Sequence, residues 1–335
     1  MTDTPRPRIR LVDVAREAGL SKTTVSAALN GTGRLSPAVR ERAREAARAL
    51  GYRPNATARL LRAGHARLIG FAVGEYPAGA GSYMESPYFA QLTSATATAA
   101  LEHGYALVLL PSGATPDEWN DLPLDAAIVA DPLIDDPLVE DFLQARIPLF
   151  TDRSVEGREG AHWVDIDTVE AVRGVLDHLR EQGARRTAFV SQDARTRFHR
   201  ESGEAYRSWC EEQGVEERSV LAERPGNGAV IAAVEQALRG GADALFVVAE
   251  VAPPLVLDAA RRHGLAVPRD LLVVCAGEDG TAEHADPPVS TLGLRPTQVA
   301  EAGVELLVAA LESGDPAPTG RLVRTELTVR ASSLR

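Results

Sequence analysis

In the run SKTTVSAALN, Val25, Ala28 and Leu29 fall at i, i+3 and i+4, the spacing of one apolar helix face. Lys22, Thr23, Ser26, Ala27 and Asn30 then project from the opposite side, with Thr24 in the same first turn. Short polar or small side chains near the start of a helix are the kind that reach base edges in a major groove, while arginines and helix N-termini hold phosphates. Lys22 is the chain's one lysine among 36 basic residues. The chemistry these residues suit is therefore recognition of duplex DNA.

A helix in that role must be positioned by others. Apolar residues recur at helical spacing in three bursts between Leu11 and Pro54, separated by glycine-containing breaks. The first helix spans about Val12 to Ala18 and stops at Gly19, a residue that accepts the positive φ of a tight turn. Ser21 caps a second over Lys22 to Leu29. Ala15, Gly19 and Val25 stand at relative positions 0, 4 and 10, which is helix-turn-helix spacing: a small residue at the crossing, a turn glycine, and an apolar residue packing back. Ser36 and Pro37 open a third helix that Gly51 ends, with Val39, Ala43, Ala46, Ala47 and Leu50 inward and Arg40, Arg42, Arg44 and Arg48 mostly outward. A solvated three-helix bundle with a basic surface has the same pattern, so both readings stand at this point.

Charge divides the chain. Residues 1 to 62 hold 13 Lys and Arg against 5 Asp and Glu, a balance of +8, whereas the rest carries −19, within a net charge of −11. Such asymmetry suits a polyanion-binding head on an acidic body. The 335 residues, 44% hydrophobic and 25% charged, suggest two or three globular units, and no apolar run approaches the roughly 18 residues that span a bilayer. The N-terminus lacks the apolar core of a secretory signal, and Cys210 and Cys275 form no ligand-like cluster, so the expectation is a cytoplasmic protein without membrane partner, disulfide framework or structural zinc.

The run LVDVAREAGLSKTTVSAALNGTGRLSPAVRERAREAARALGYRPNATARLLRAG resembles the head of the LacI/GalR family of bacterial transcription regulators. Similarity continues through LIGFAV, SPYFAQL, HGYALVLL and DPPVSTL to the closing ELTVRASS, covering nearly the whole chain. The resemblance implies a helix-turn-helix head over 1–54, a hinge helix and linker over 55–64, and a two-lobed body of the periplasmic-binding-protein type I fold over 65–335. The lobes are expected at about 65–156 with 291–317 and at 157–290 with 318–335. Within the head and hinge, Tyr52, Asn55, Arg59 and Leu61 join the DNA contacts. NATARLLR is shorter than the roughly 12 to 15 residues an isolated helix needs in water, and the family pairs two such segments in the minor groove, where the matching leucine, Leu61, wedges a base step apart.

From Arg67 onward, strand candidates (RLIGFAV, YALVLL, AAIVA, IPLF, WVDI, TAFV, ALFVV, LLVVC) alternate with helix candidates at Tyr88 to His103, Thr168 to Gln182, Glu201 to Gln213, Ala229 to Arg239 and Pro254 to His263. The expected class is α/β with parallel sheets covered by helices, behind an all-α head. Ligands in such folds sit beyond the C-terminal ends of strands. Catalytic motifs are missing: the sequence contains no GxxxxGKS/T, HExxH, CxxC or GxSxG. The glycines of PAGAGSY are not framed as a phosphate cradle, and Asp165 with Asp167 makes a poor metal site because Asp167 and Glu170 read as a helix cap. Neither enzyme, cofactor nor metal is expected.

By the resemblance, the cleft candidates are Tyr88 and Phe89, Asp152 and Arg153, Arg200, Phe246, Glu250 and Glu278. Phe246 lies in an apolar strand where a core ring is an equally good reading. The chain departs from the family in three places. Ala249-Glu250 replaces an Asn-Asp pair, Gly277 stands where the effector-binding aspartate falls, and Ser202 occupies the place of an arginine, with Arg200 two residues earlier. The expected effector is thus a molecule with a flat or apolar portion rather than a free monosaccharide, with Trp163 as a fluorescence reporter. The reading as a whole is a homodimeric repressor, without the appended helix that would join dimers, on a near-palindromic double-stranded DNA operator and modulated by a small molecule. Alternatives are a receptor or transport-type binding protein of the same body fold, an enzyme fused to a DNA-binding head, or a regulator that has lost effector control.

Overall fold

The computed structural model describes residues 9–52, 65–74, 82–155, 157, 160–192, 195–223, 226–314 and 317–335. The chain divides at Ala66 into two compact units. Asn55, Arg59, Leu61 and the expected hinge helix lie outside the described residues.

The head consists of α1 (Leu11–Ala18), α2 (Lys22–Leu29) and α3 (Pro37–Leu50). Its boundaries follow from local chemistry. The Asp13 carboxylate accepts the Arg10 amide at 2.9 Å to start α1, and Gly19, at φ 61°, turns the chain out of it. Ser21 and Ser36 accept the amides of Thr24 and Val39 at 3.0 and 3.4 Å, satisfying donors that the first helical turn leaves unpaired. Val14, Ala15, Ala18, Val25, Ala28, Ala43, Ala46 and Ala47 form the core. Most are alanines, so the helices approach closely and the head's apolar interior is small.

The body contains two six-stranded sheets. The first has β1 (Leu68–Val73), β2 (Ala106–Leu109), β3 (Ala126–Ala130), β4 (Leu149–Thr151), β5 (His162–Ile166) and β11 (Gly320–Val323), in the order β11-β5-β4-β3-β1-β2, with every pairing parallel. The second has β6 (Thr187–Ser191), β7 (Ser219–Leu221), β8 (Ala244–Val248), β9 (Leu272–Ala276), β10 (Ser290–Gly293) and β12 (Glu326–Thr328), in the order β12-β10-β9-β8-β6-β7, antiparallel only where β12 joins β10. Between the strands run α4 (Pro87–Glu102), α5 (Pro116–Trp119), α6 (Pro137–Gln144), α7 (Thr168–Glu181), α8 (Arg197–Gln213), α9 (Asn227–Arg239), α10 (Pro253–Arg262), α11 (Thr281–His284) and α12 (Pro296–Ser313).

Helices cover both faces of each sheet, which explains why the central strands read as unbroken apolar runs. Ile69, Phe71 and Val73 pack on the side of α4 and α12, while Ala72, Ala127 and Val129 pack on that of α6. In the second sheet Leu245 and Val247 face α9 and α10, and Ala244, Phe246 and Val248 face α7 and α8.

The lobe limits differ from the expected ones. Residues 162–166 and 320–323 were expected in the second lobe, yet β5 and β11 pair with each other and extend the first sheet. The chain therefore crosses after Ile166, returns through α12 and β11, and crosses again into β12. The physical reason is register: Phe150 and Thr151 of β4 align with His162 and Trp163, a pairing that a short apolar run cannot reveal by itself. Asp167 accepts the Glu170 amide at 2.9 Å, the helix cap its sequence context suggested. No helix among the described residues is long and apolar enough to cross a membrane.

Candidate functional site

On the head, α2 turns Val25 and Ala28 into the core and leaves Lys22, Thr23 and Asn30 exposed, with Thr24, Ser26 and Ala27 half-buried. Its first turn is tied to the cap: the Ser21 hydroxyl lies 2.9 Å from that of Thr23 and 2.7 Å from that of Thr24. The Asn30 side chain donates to the Ser26 hydroxyl at 3.3 Å. These bonds hold short side chains in place without enclosing them, leaving an exposed row that begins at the positive end of the helix dipole. Tyr52 is half-buried and packs against the head core, and its amide donates to the Ala47 carbonyl at 2.9 Å. The arginines of α3 are partly engaged within the head. Arg40 donates to the Gly33 carbonyl at 2.8 Å, and Glu41 pairs with both Arg44 and Arg48.

In the body, side chains past the C-terminal ends of β3, β4, β8 and β9 converge on a cavity of about 380 Å³ between the two sheets. The strand-end rule for α/β folds finds this place. Arg153, just past β4, is 3% exposed. Its guanidinium lies over the rings of Tyr88 and Phe198, 5.6 Å from each centroid, and pairs with Asp152 at 4.0 Å and Asp165 at 3.8 Å. Asp152, itself fully buried, accepts the Tyr88 hydroxyl at 2.9 Å and the Asp131 amide. A buried arginine without these carboxylates would be costly, and so would Asp152 without it, whereas Asp165 also pairs with Arg197 at 3.8 Å. Burial pushes the Asp152 carboxyl up against the opposing pull of Arg153. Burial also raises the Tyr88 phenol well above its ordinary value.

The two lobes meet across this cavity. Ser86, at the start of α4, donates its hydroxyl to Glu250 beyond β8 at 2.7 Å, and the Gln91 side chain donates to the Glu278 carbonyl at 3.1 Å. The Ile134 amide donates to the Arg195 carbonyl at 3.2 Å. Asp131, which follows β3 at φ 43°, has its carboxyl pushed up to about 7, by burial first, then by the Asp152 charge and more weakly by Glu250. Arg153 and a hydrogen bond from Thr196 act in the opposite direction.

Of the cleft residues expected from sequence, Tyr88, Phe89, Arg153, Glu250 and Glu278 line the cavity, and Asp152 sits behind Tyr88 and Arg153. Three assignments change. Phe246 is fully buried on the α7 and α8 side of β8, 5.8 Å from the Phe189 ring, and belongs to the core because strand alternation turns it inward. Arg200 is not among the lining residues; α8 begins at Arg197, a turn before the expected Glu201, and the earlier start brings Phe198 and His199 to the cavity instead. The Glu278 carboxylate accepts the Leu294 and Arg295 amides, so its main service is to hold the start of α12.

Sequence reasoning missed Asp131, Phe198 and His199. Asp131 had a usable signal, an acid directly after the buried strand AAIVA; the other two had none. Gly277 adopts φ +134°, a conformation that disfavours the aspartate expected at that place. Among the described residues no group of three or more His, Cys, Asp or Glu is arranged to hold a metal ion.

Comparison with known proteins accords with this geometry. Residues 10–55 match the family described as bacterial regulatory proteins, lacI family, and residues 176–333 match the periplasmic binding protein-like domain. The HTH-type transcriptional regulator CelR of Thermobifida fusca is 28% identical, with 98% of this chain and 99% of that protein covered. The HTH-type regulator AscG of Escherichia coli is 25% identical over 96% and 99%. Among solved structures, a CelR–cellobiose complex aligns with a TM-score of 0.72 and 25% identity, covering 97% of this chain and all of that one. A lac repressor dimer bound to operator and an anti-inducer aligns with a TM-score of 0.84 at 19% identity, covering 98% of this chain and all of that one. With a helix-turn-helix head that displays a polar row on α2 and a two-lobed body enclosing a cleft, the chain joins a LacI-family DNA-binding domain to a periplasmic-binding-protein-like domain and is a DNA-binding transcription regulator.

Proposed function

We propose that the protein is a repressor that binds a near-palindromic operator as a homodimer and that a small molecule in the interlobe cleft sets its operator affinity. The observation that carries this reading is the coincidence of the lacI-family match at 10–55 with a compact head whose α2 exposes Lys22, Thr23 and Asn30. Two heads related by a two-fold axis require two inverted half-sites. Dimerisation is supported by the lac repressor structure, itself a dimer, and by exposed Leu101 and Leu109 on α4 and the edge strand β2. Residues 55–62 act as the hinge, with Asn55 and Arg59 on the backbone and Leu61 entering the minor groove. The basic head makes binding steeply salt-dependent, while the acidic body repels nonspecific DNA.

Selection of bound fragments from genomic DNA tests the reading directly. An inverted-repeat consensus bound by a species of twice 35.7 kDa is expected. Recovery of unrelated sequences, or of single half-sites bound by monomer, would count against it. The CelR structure contains cellobiose, so cellobiose belongs in the effector screen. Operator binding that no screened compound alters would favour a regulator without effector control.

A further inference from the structure

Besides the bonds at Ser86 and Gln91, the lobes meet along four consecutive residues at the start of α8. The Ile134 amide donates to the Arg195 carbonyl at 3.2 Å, and Leu133 pairs with Thr196 in a single antiparallel bridge. Phe198 lies against the Arg153 guanidinium, which stands 5.6 Å from its ring centroid. Arg197, between them in sequence, crosses the lobes by charge. Its guanidinium is 3.8 Å from Asp165 on β5 of the first lobe and 2.7 Å from Glu201, one turn further along its own helix.

Asp165 is a fixed anchor for that arginine. Buried near the end of β5, its carboxylate accepts the Ser154 amide at 3.0 Å, the Ser154 hydroxyl at 3.1 Å and the Ile166 amide at 2.8 Å. A lone main-chain rung contributes little net, whereas parting partly buried charges leaves a buried carboxylate short of a partner. The ion pair therefore resists separation of the lobes more than the rung beside it does. Phe198, the next residue after Arg197, lines the cavity with His199, opposite Tyr88 and Phe89 of the first lobe. Where the first turn of α8 stands thus sets how wide the cleft is.

Taking the cleft as the effector site, we propose that Arg197 is its positioning residue: paired with Asp165 across the lobes and with Glu201 on its own helix, it holds the first turn of α8, and Phe198 with it, against the first lobe. Arg197 is not itself among the residues that line the cavity, so it acts through Phe198 and through the closeness of the lobes. Without it the rung at Leu133 and Thr196 is left to keep this side of the cleft shut.

The test needs no effector, because the chain carries its own probe. Cys275 lines the cavity, is buried, and has its thiol pushed up to about 12 by that burial. The thiolate is the reactive form, so any opening of the cleft speeds its alkylation. Cys210, buried toward the far end of α8, is the internal control. The full chain is treated with N-ethylmaleimide under native conditions and each cysteine is followed by mass spectrometry, alongside deuterium exchange of the Ile134 amide. Arg197→Met is expected to speed both Cys275 labelling and Ile134 exchange by about tenfold or more, with Cys210 unchanged. Arg197→Lys, which keeps a charge, should recover most of the parent's slow rates. In a chain already carrying Asp165→Asn, Arg197→Met should add nothing.

Parent rates in Arg197→Met, acceleration of both cysteines together, or a full further effect of Arg197→Met on top of Asp165→Asn would overturn the inference. Each of these is distinct from a screen in which no compound alters operator binding, which bears on the proposed function alone.

Discussion

The head and the body handle charge in opposite ways. On the head, Lys22, Thr23 and Asn30 stand in solvent, and the arginines of α3 pair with exposed groups such as Glu41. In the cleft, Arg153 and Asp152 are almost wholly removed from water and balance each other over a few ångströms. A polyanion must be met by charges already at the surface, whereas a small ligand is gripped by charges that the fold has desolvated in advance. Substitution on the head should therefore change binding and leave folding alone. In the cleft the same kind of substitution should reach stability first.

The sharpest way to break that contrast is Arg153→Met. Removing one partner from a buried cluster leaves Asp152 without its counter-charge and Asp165 with Arg197 alone, and a loss of about 3 to 5 kcal/mol in unfolding free energy is expected by urea titration of the full chain. A loss below about 1 kcal/mol would mean that water reaches the cluster and that the cleft resembles the head more than its burial indicates.

On the head, Lys22→Ala and Thr23→Ala should each weaken specific operator binding by about 1 to 3 kcal/mol while leaving the melting of the chain unchanged. Equal losses on operator and random DNA would restrict both residues to backbone contact. Ala27 offers only a methyl, so the base it faces is expected to be a thymine; a selected site with an obligatory guanine there would contradict this.

A pH titration of stability separates the regions further. Asp131 has a folded-state pKa of about 7, above the unfolded value of about 3.9. The folded state therefore binds the extra proton, and this contribution to stability is lost progressively as pH rises from about 4 to about 7. Asp131→Asn should flatten that decline. A variant whose stability runs parallel to the parent's from about pH 4 to about pH 8 would show that Asp131 has no raised pKa in the folded chain.

The smallest effect is expected at Phe246. Phe246→Leu should cost about 1 to 2 kcal/mol of stability through lost packing against Phe189 and leave effector binding as it was. Altered ligand affinity at unchanged stability would return Phe246 to the cleft.

What could be read from the sequence follows the range of the forces involved. The helices of the head were legible almost to the residue, since caps such as Ser21 and Ser36 and stops such as Gly19 and Gly51 act within four residues of the chain. The buried central strands were legible as apolar runs, and the order of the motifs pointed to the family. Two of the edge strands were not: Ser219–Leu221 and Gly320–Val323 carry exposed residues, and only pairing with distant partners makes them strands. The assignment of His162–Ile166 to the first sheet was decided by its alignment with β4 and β11. In the cleft, residue types carried over by resemblance located Tyr88, Arg153 and Glu250 but could not say which carboxylates were already satisfied. Glu278 is bound by amides 16 and 17 residues away, and Asp131 faces Glu250 from the other lobe. Hydrogen bonding and desolvation at such separations are properties of the packed chain, because they depend on which side chains share a volume and not on which share a stretch of sequence.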